Sequence, residues 1–412
     1  MNAVLRLRAP RGCWVLATAC ILAGCGGGGS GTSTPASQST SISVQPATVS
    51  STPAAPLTPI SRAIKFHPGH YIELDPGSSG GLSKWLTTIA SLKGATGVTG
   101  VMLIQPWARL EFAKNEYSQG SGLEAQGFGM IDQLLAACQS AGLQFMLGVA
   151  DRSFGAAKTY GEPSSFGQLP SYFDDLVTAT GAPGYIDAPS GTTWSGKLQM
   201  IAKLWDPAVM QRYIALTGAY GARYDSNPNF EMWSASETAI GVPIGDGGFN
   251  DAAYVAQLQA WMSAARSAFP TTGLRVSANF LDTVEELTTL FQTAVRYAIG
   301  VGGPDVEVDF SNFPGTSNLV FSGYQGTTDY RGVLPWISEV QTADESGVST
   351  PAQLYAYAMS GDIATGGSMD PNYFIWAFDA SYLGPRALTN PEILEFISSI
   401  KGAINTRRPS SY

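Results

Sequence analysis

FEMWSASE, residues 230–237, and LPWISEVQ, residues 334–341, decide how this chain is read. Each is a short run of apolar and aromatic residues of strand length that ends close to a glutamate. Glu237 closes the first, and Glu339 stands near the end of the second. Working outward, similar runs recur along the chain and alternate with stretches of helical period. HYIELD (70–75) is the first strand, with SKWLTTIASL as its helix. GVTGVMLIQPW (97–107) is the second, followed by a helix around MIDQLLAACQSAG. LQFMLGVADR (143–152) is the third, and its return helix is PAVMQRYIALTGAYGARY. The Gly- and Pro-rich stretch 153–206 between them reads as an excursion over the barrel mouth. FEMWSASE is the fourth strand, LRVSANF (274–280) the fifth, VEVDFSNF (306–313) the sixth, LPWISEVQ the seventh and YFIWAFD (373–379) the eighth. Eight such units predict an α/β fold, a (β/α)8 TIM barrel in one domain over residues 63–412. An open doubly wound sheet is the competing fold, but no G-x-G-x-x-G or P-loop follows an early strand.

The segment before the barrel has a different character. Arg6, Arg8 and Arg11 followed by WVLATACILAG make residues 1–24 a secretory signal. Its apolar run is shorter than the roughly 20 residues a membrane span needs. Leu22-Ala23-Gly24-Cys25 resembles the bacterial lipobox, which implies lipidation of Cys25 and attachment to the cell envelope. Gly26 in place of an aspartate points to the outer membrane. An ordinary signal with a chance cysteine is the alternative, and the mass of the native N-terminal peptide separates the two. Residues 25–62 are Gly, Ser, Thr, Pro and Ala almost throughout and read as a flexible tether.

Four cysteines provide no disulfide framework. Cys13 and Cys20 leave with the signal, Cys25 would carry lipid, and Cys138 is alone in an apolar helical stretch. Without the three signal arginines, 20 basic groups face 32 acidic ones, a balance of −12. Such a surface repels nucleic acid and anionic membrane and suits a neutral ligand.

In a β/α barrel, functional groups come from the C-terminal ends of different strands. Two carboxylates converging there can divide acid and nucleophile roles, which is what cleavage of a glycosidic bond requires. Strands ending in glutamate at the fourth and seventh positions resemble the retaining β/α-barrel glycoside hydrolases, a clan that includes cellulases, mannanases and β-galactosidases. That resemblance implies Glu237 as acid/base, Glu339 as nucleophile and a poly- or oligosaccharide substrate. The clan usually carries Asn before the acid/base, binding the sugar's 2-hydroxyl; Ser236 stands there in this chain. Trp376 falls where the clan places a tryptophan beneath the sugar, and Arg109 where it places an arginine that orients the nucleophile. Asp75, Asp151, Asn279 and Tyr324 fall at or after strand ends and are further candidates to line the cleft, with Arg152 and Asn312 beside them. Trp233, on the same strand as Glu237, offers apolar surroundings that favour a protonated acid, and Asp309 is the rival acid.

His67 and His70, in H-P-G-H near the first strand, are the only histidines. A catalytic zinc barrel draws histidines from later strands as well, so no metal and no cofactor are expected. No histidine follows the first strand, so a serine-histidine-acid triad in the order of the α/β-hydrolases is not available either. The expected protein is a monomeric hydrolase. The competing reading is a glycan-binding barrel that handles an exopolysaccharide without cleaving it.

Overall fold

Eight parallel strands close on themselves in chain order. They are β1 (Gly69–Leu74), β2 (Val98–Pro106), β3 (Gln144–Ala150), β4 (Phe230–Glu237), β5 (Gly273–Ser277), β6 (Gly300–Gly303), β7 (Trp336–Val340) and β8 (Tyr373–Ala377). β8 returns to β1 with Gly69 opposite Tyr373 and Glu73 opposite Ala377, so the sheet has no edge. The computed structural model describes residues 63–412 apart from 75–80, 153–168, 189–198, 241–244, 279–280, 282, 304–305, 307–323, 326–327, 341–349, 361–369 and 378–387. The signal, Cys25, the tether, Asp75, Asn279, Asp309 and Asn312 lie outside the described residues.

The strand period of two sorts side chains into two cores. Tyr71, Met102, Met146, Met232, Ile337, Tyr373 and Ile375 fill the barrel axis. Ile72, Leu103, Leu147, Trp233, Val276, Phe374 and Trp376 face outward into the layer shared with the helices. Those helices are α1 (Gly81–Ser91), α2 (Phe128–Ala141), α3 (Pro207–Tyr224), α4 (Asp251–Ala268), α5 (Val284–Tyr297), α6 (Pro351–Ser360) and α7 (Asn390–Ser399). Their starts are written in the sequence. Asp206 accepts from the Ala208 N–H, Asn250 from Ala253 and Thr283 from Glu286, and Thr389 with Glu392 forms a capping box. Each buries one stripe, as with Leu287, Leu290, Phe291 and Ala294 on α5. Trp261 of α4 is fully buried and donates its indole N–H to Thr217 Oγ1 of α3 at 3.1 Å. Truncating such a side chain to alanine costs about 3–5 kcal/mol. Cys138, buried on α2, has its thiol pushed up to about 12 by burial and is inert.

The sixth strand differs from expectation. It is Gly300–Gly303, not 306–313, of which only Val306 is described. VEVDF alternates as a strand should, but the described wall strand lies earlier, in a segment that permits close approach. A Cβ at Gly302 would stand 1.8 Å from the Ile337 carbonyl oxygen, and one at Gly300 would stand 2.6 Å from Ile337 Cδ1. Backbone proximity outweighed β-propensity.

The two histidines are absorbed by the fold. His67 Nδ1 lies 2.6 Å from the buried Glu231 carboxylate, which also accepts from the His67 N–H and the Tyr373 hydroxyl. Together with Lys65, whose ammonium donates to Asn227 O, Phe230 O and Thr272 Oγ1, this seals the N-terminal end of the barrel. Burial pushes Lys65 down to about 8. His70 faces outward: its Nδ1 accepts from Trp376 Nε1 at 3.0 Å, and its Nε2 donates to Ala403 O at 3.0 Å. That tautomer is neutral, and burial holds the imidazole down to about 4.

These two histidines give stability opposite pH dependences. His70 titrates lower in the fold than in the unfolded chain, so its contribution is present above pH 6.5 and is lost as pH falls toward 4. The loss amounts to about 3 kcal/mol. His67 acts oppositely. Its pKa is raised by the hydrogen bond to Glu231, so its contribution is full below 6.5 and lost as pH rises through the folded value. Urea unfolding at pH 7 and pH 4 checks the first claim. The stability gap between wild type and His70→Gln should shrink by about 3 kcal/mol on acidification; a constant gap would refute it.

Candidate active site

Because all eight strands run parallel, their C-terminal ends share one mouth. Glu237 is the last residue of β4, and Glu339 is the penultimate residue of β7. Above the apolar axis, the inward phase turns polar with Glu73 on β1, Ser234 on β4, Arg275 and Ser277 on β5, and Glu339 on β7. Arg275 and Glu339 are 1% and 2% exposed and form an ion pair, Nη2 to Oε2, at 2.8 Å. They stand two strands apart. β6 between them carries glycine at both inward positions, Gly300 opposite Arg275 and Gly302 opposite Ser277, while Val301 faces outward. No side chain on β6 blocks the guanidinium on its way to Glu339. A guanidinium keeps its charge at physiological pH, so the buried cation and the Glu339 carboxylate balance each other.

Glu237 reaches the inward phase by a different device. On β5, Arg275 pairs with Ser234 and Ser277 pairs with Glu237, so β4 spends three steps where β5 spends two. The extra residue is a β-bulge, which re-aims the side chains beyond it. Without it Ser236 would take the inward phase. Instead the Ser236 hydroxyl turns to β3, donating to Val149 O and accepting from the Asp151 N–H at 3.2 Å. Arg152 completes this contact. Its guanidinium donates to Glu237 O at 2.7 Å, to Ala239 O, and to both Asp151 carboxylate oxygens at 2.8 and 3.2 Å.

The two glutamates thus share a mouth, but several expected companions are elsewhere. Ser236 is committed to the β3 backbone. Asp151 is fully buried against Arg152 and does not line the cleft. Arg109 sits half-buried on the helical turn Trp107–Leu110, its guanidinium pulled down by burial; the arginine on Glu339 is Arg275. Trp376 is fully buried on the outward face of β8, stacked on His70 and packed on Phe374 and Phe396. Two-residue alternation, with Tyr373 and Ile375 inward, sends it away from the mouth. Trp233 likewise packs outward on Tyr220 and Phe269, so it lends Glu237 no apolar wall. Tyr324 belongs to the short pair Tyr324–Gln325 with Thr328–Asp329, and its side chain lies outside the described residues.

Sequence reasoning misses Glu73, Arg275 and Glu231, and it places Arg152 in the cleft rather than behind it. A signal for Glu73 and Arg275 exists, each being a charged residue at an inward phase of an otherwise apolar strand, whereas Glu231 turns inward beside Met232 only through a one-residue shift between Phe230 and Met232. Phase, not charge, is the deciding information.

No family model matches the chain, and neither does any curated protein sequence. Solved structures do match in fold. The catalytic domain of a β-amylase from Paenibacillus polymyxa superposes with a TM-score of 0.50 at 13% identity, over 82% of this chain and 100% of that one. A β-galactosidase from the psychrophilic Marinomonas ef1 gives 0.50 at 9% identity, over 81% of this chain and 59% of that one. What they share with this chain is the (β/α)8 barrel. At such identities the likeness is one of architecture, and function has to be argued from the site.

Proposed function

We propose that this protein is a glycoside hydrolase that cleaves a β-linked poly- or oligosaccharide by a retaining double displacement. The observation that carries the reading is that Glu237, brought into the inward register by a bulge on β4, and Glu339, held by buried Arg275 from β5 two strands away, end their strands at one mouth. In the first step Glu339 attacks the anomeric carbon while Glu237 gives its proton to the departing glycosidic oxygen. The C–O bond breaks, and a glycosyl ester forms on Glu339. In the second step Glu237 takes a proton from water, which attacks the same carbon and frees Glu339. Arg275 keeps the Glu339 carboxylate oriented. The solved neighbours named above are glycosidases by name, which supports the reaction class.

The test is a panel of β-linked polysaccharides incubated with the full-length protein, with reducing ends quantified and Glu339→Gln run alongside. Release from at least one substrate, absent in the variant, is expected. Proton NMR of the first-formed product should show the β-anomer; an α-anomer would replace the retaining mechanism with an inverting one, which needs carboxyl groups about 6.5–9.5 Å apart rather than about 5–5.5 Å.

A further inference from the structure

We propose that Arg152 and Ser236 are positioning residues for Glu237: together they staple the bulged end of β4 onto β3 and set the direction of its carboxyl. The inference rests on the assignment of Glu237 as proton donor. The β3–β4 ladder, already shifted by one residue between Phe230 and Met232, runs only as far as Gly148 opposite Ser234. Beyond it, at the bulge, side chains take over the contact with β3. Ser236 spans the Val149 carbonyl and the Asp151 N–H, and Arg152 grips the carbonyls of Glu237 and Ala239 on either side of Thr238. On its other flank, β4 is tied to β5 by the Thr238 N–H to Ser277 O at 2.8 Å. The residue that carries the carboxyl is therefore clamped from both sides.

The clamp is stiff. Arg152 is 2% exposed, and its Nε, Nη1 and Nη2 are all engaged. Burial alone would lower its pKa, but the Asp151 carboxylate, with smaller contributions from Tyr254 and Glu237, raises it, so the guanidinium stays charged. Asp151 is in turn fixed by its carbonyl, which accepts the Ala202 N–H at 3.0 Å. None of these bonds runs to a mouth-lining side chain; they act on the backbone that bears Glu237. A proton donor misplaced by about 1 Å loses much of its effect, so a bulged strand end needs this support.

The test uses Ser236→Ala and Arg152→Lys, the serine variant serving if the lysine variant folds poorly. One arm measures hydrolysis of phenyl and 2,4-dinitrophenyl β-glycosides of glucose, galactose and mannose. Loss of aim should lower kcat on the phenyl glycoside about tenfold or more, since its leaving group needs a proton, and change the dinitrophenyl rate less than about threefold. KM should hold. The second arm needs no substrate: carboxyl 13C titration of the glutamates, assigned with Glu237→Gln, should show a moved Glu237 curve and an unmoved Glu339 curve. Equal rate losses on both leaving groups, or an unmoved Glu237 curve in a folded variant, would overturn the proposal and leave Arg152 a core stabiliser. Failure of the wild type on every glycoside would count against the glycosidase reading, while the titration would still decide the staple.

Discussion

Replacing Glu339 by alanine is expected to reduce turnover by about 10⁴-fold or more, because the proposed mechanism routes the covalent intermediate through this carboxylate. Azide should restore rate to this variant and yield the α-glycosyl azide, since a small anion fills the space of the lost carboxylate and attacks from its side. Glu237→Ala should behave differently. Substrates with poor leaving groups should lose about 10²–10⁴-fold, and activated aryl glycosides far less, as expected when a proton donor is removed. The two kinetic signatures separate nucleophile from acid. Should both alanine variants keep near-normal rates on an active substrate, the assignment fails, and Glu73 becomes the next carboxylate to test among the described residues, with Asp75 and Asp309 beyond them.

The second large effect concerns stability. Arg275→Met should destabilise the fold by about 3–5 kcal/mol, because it leaves the Glu339 carboxylate 2% exposed without its guanidinium. Removing both charges, as Arg275→Met with Glu339→Leu, should recover most of the loss, since an apolar pair of similar volume avoids the desolvation cost. Thermal and urea unfolding of the four proteins in this cycle give the coupling directly. A single Arg275→Met variant as stable as wild type would mean that the ion pair carries no net weight in the folded barrel. The stability cycle and the alanine kinetics interrogate the same carboxylate in different ways. Glu339→Leu alone should abolish turnover while losing stability too, because it strands Arg275 instead.

Much of the architecture is legible in the sequence. Eight apolar runs spaced by helical stretches dictate a parallel barrel, because each strand end needs a return helix and each helix needs an apolar wall to cover. The caps at Asp206, Asn250, Thr283 and Thr389 start helices after the third, fourth, fifth and eighth runs, since capping is a local interaction between neighbours in sequence. Glu237 and Glu339 stand out because they end such runs. The sixth strand escapes a sequence reading because VEVDF has the better intrinsic pattern, while Gly300–Gly303 owes its place to how close β7 comes.

The chain by itself determined the architecture and the strand ends at which carboxylates sit, both consequences of short-range pattern. Only the tertiary structure decided which way each side chain faces and which partner it meets. Trp376 and Ser236, expected in the cleft, turn away from it, one by strand alternation and the other by a bulge. Arg275 joins Glu339 across a long separation in sequence because β6 between them is glycine at its inward positions. A single-residue slip in register inverts the face of everything beyond it, and such slips are set by neighbouring strands that lie far away in sequence.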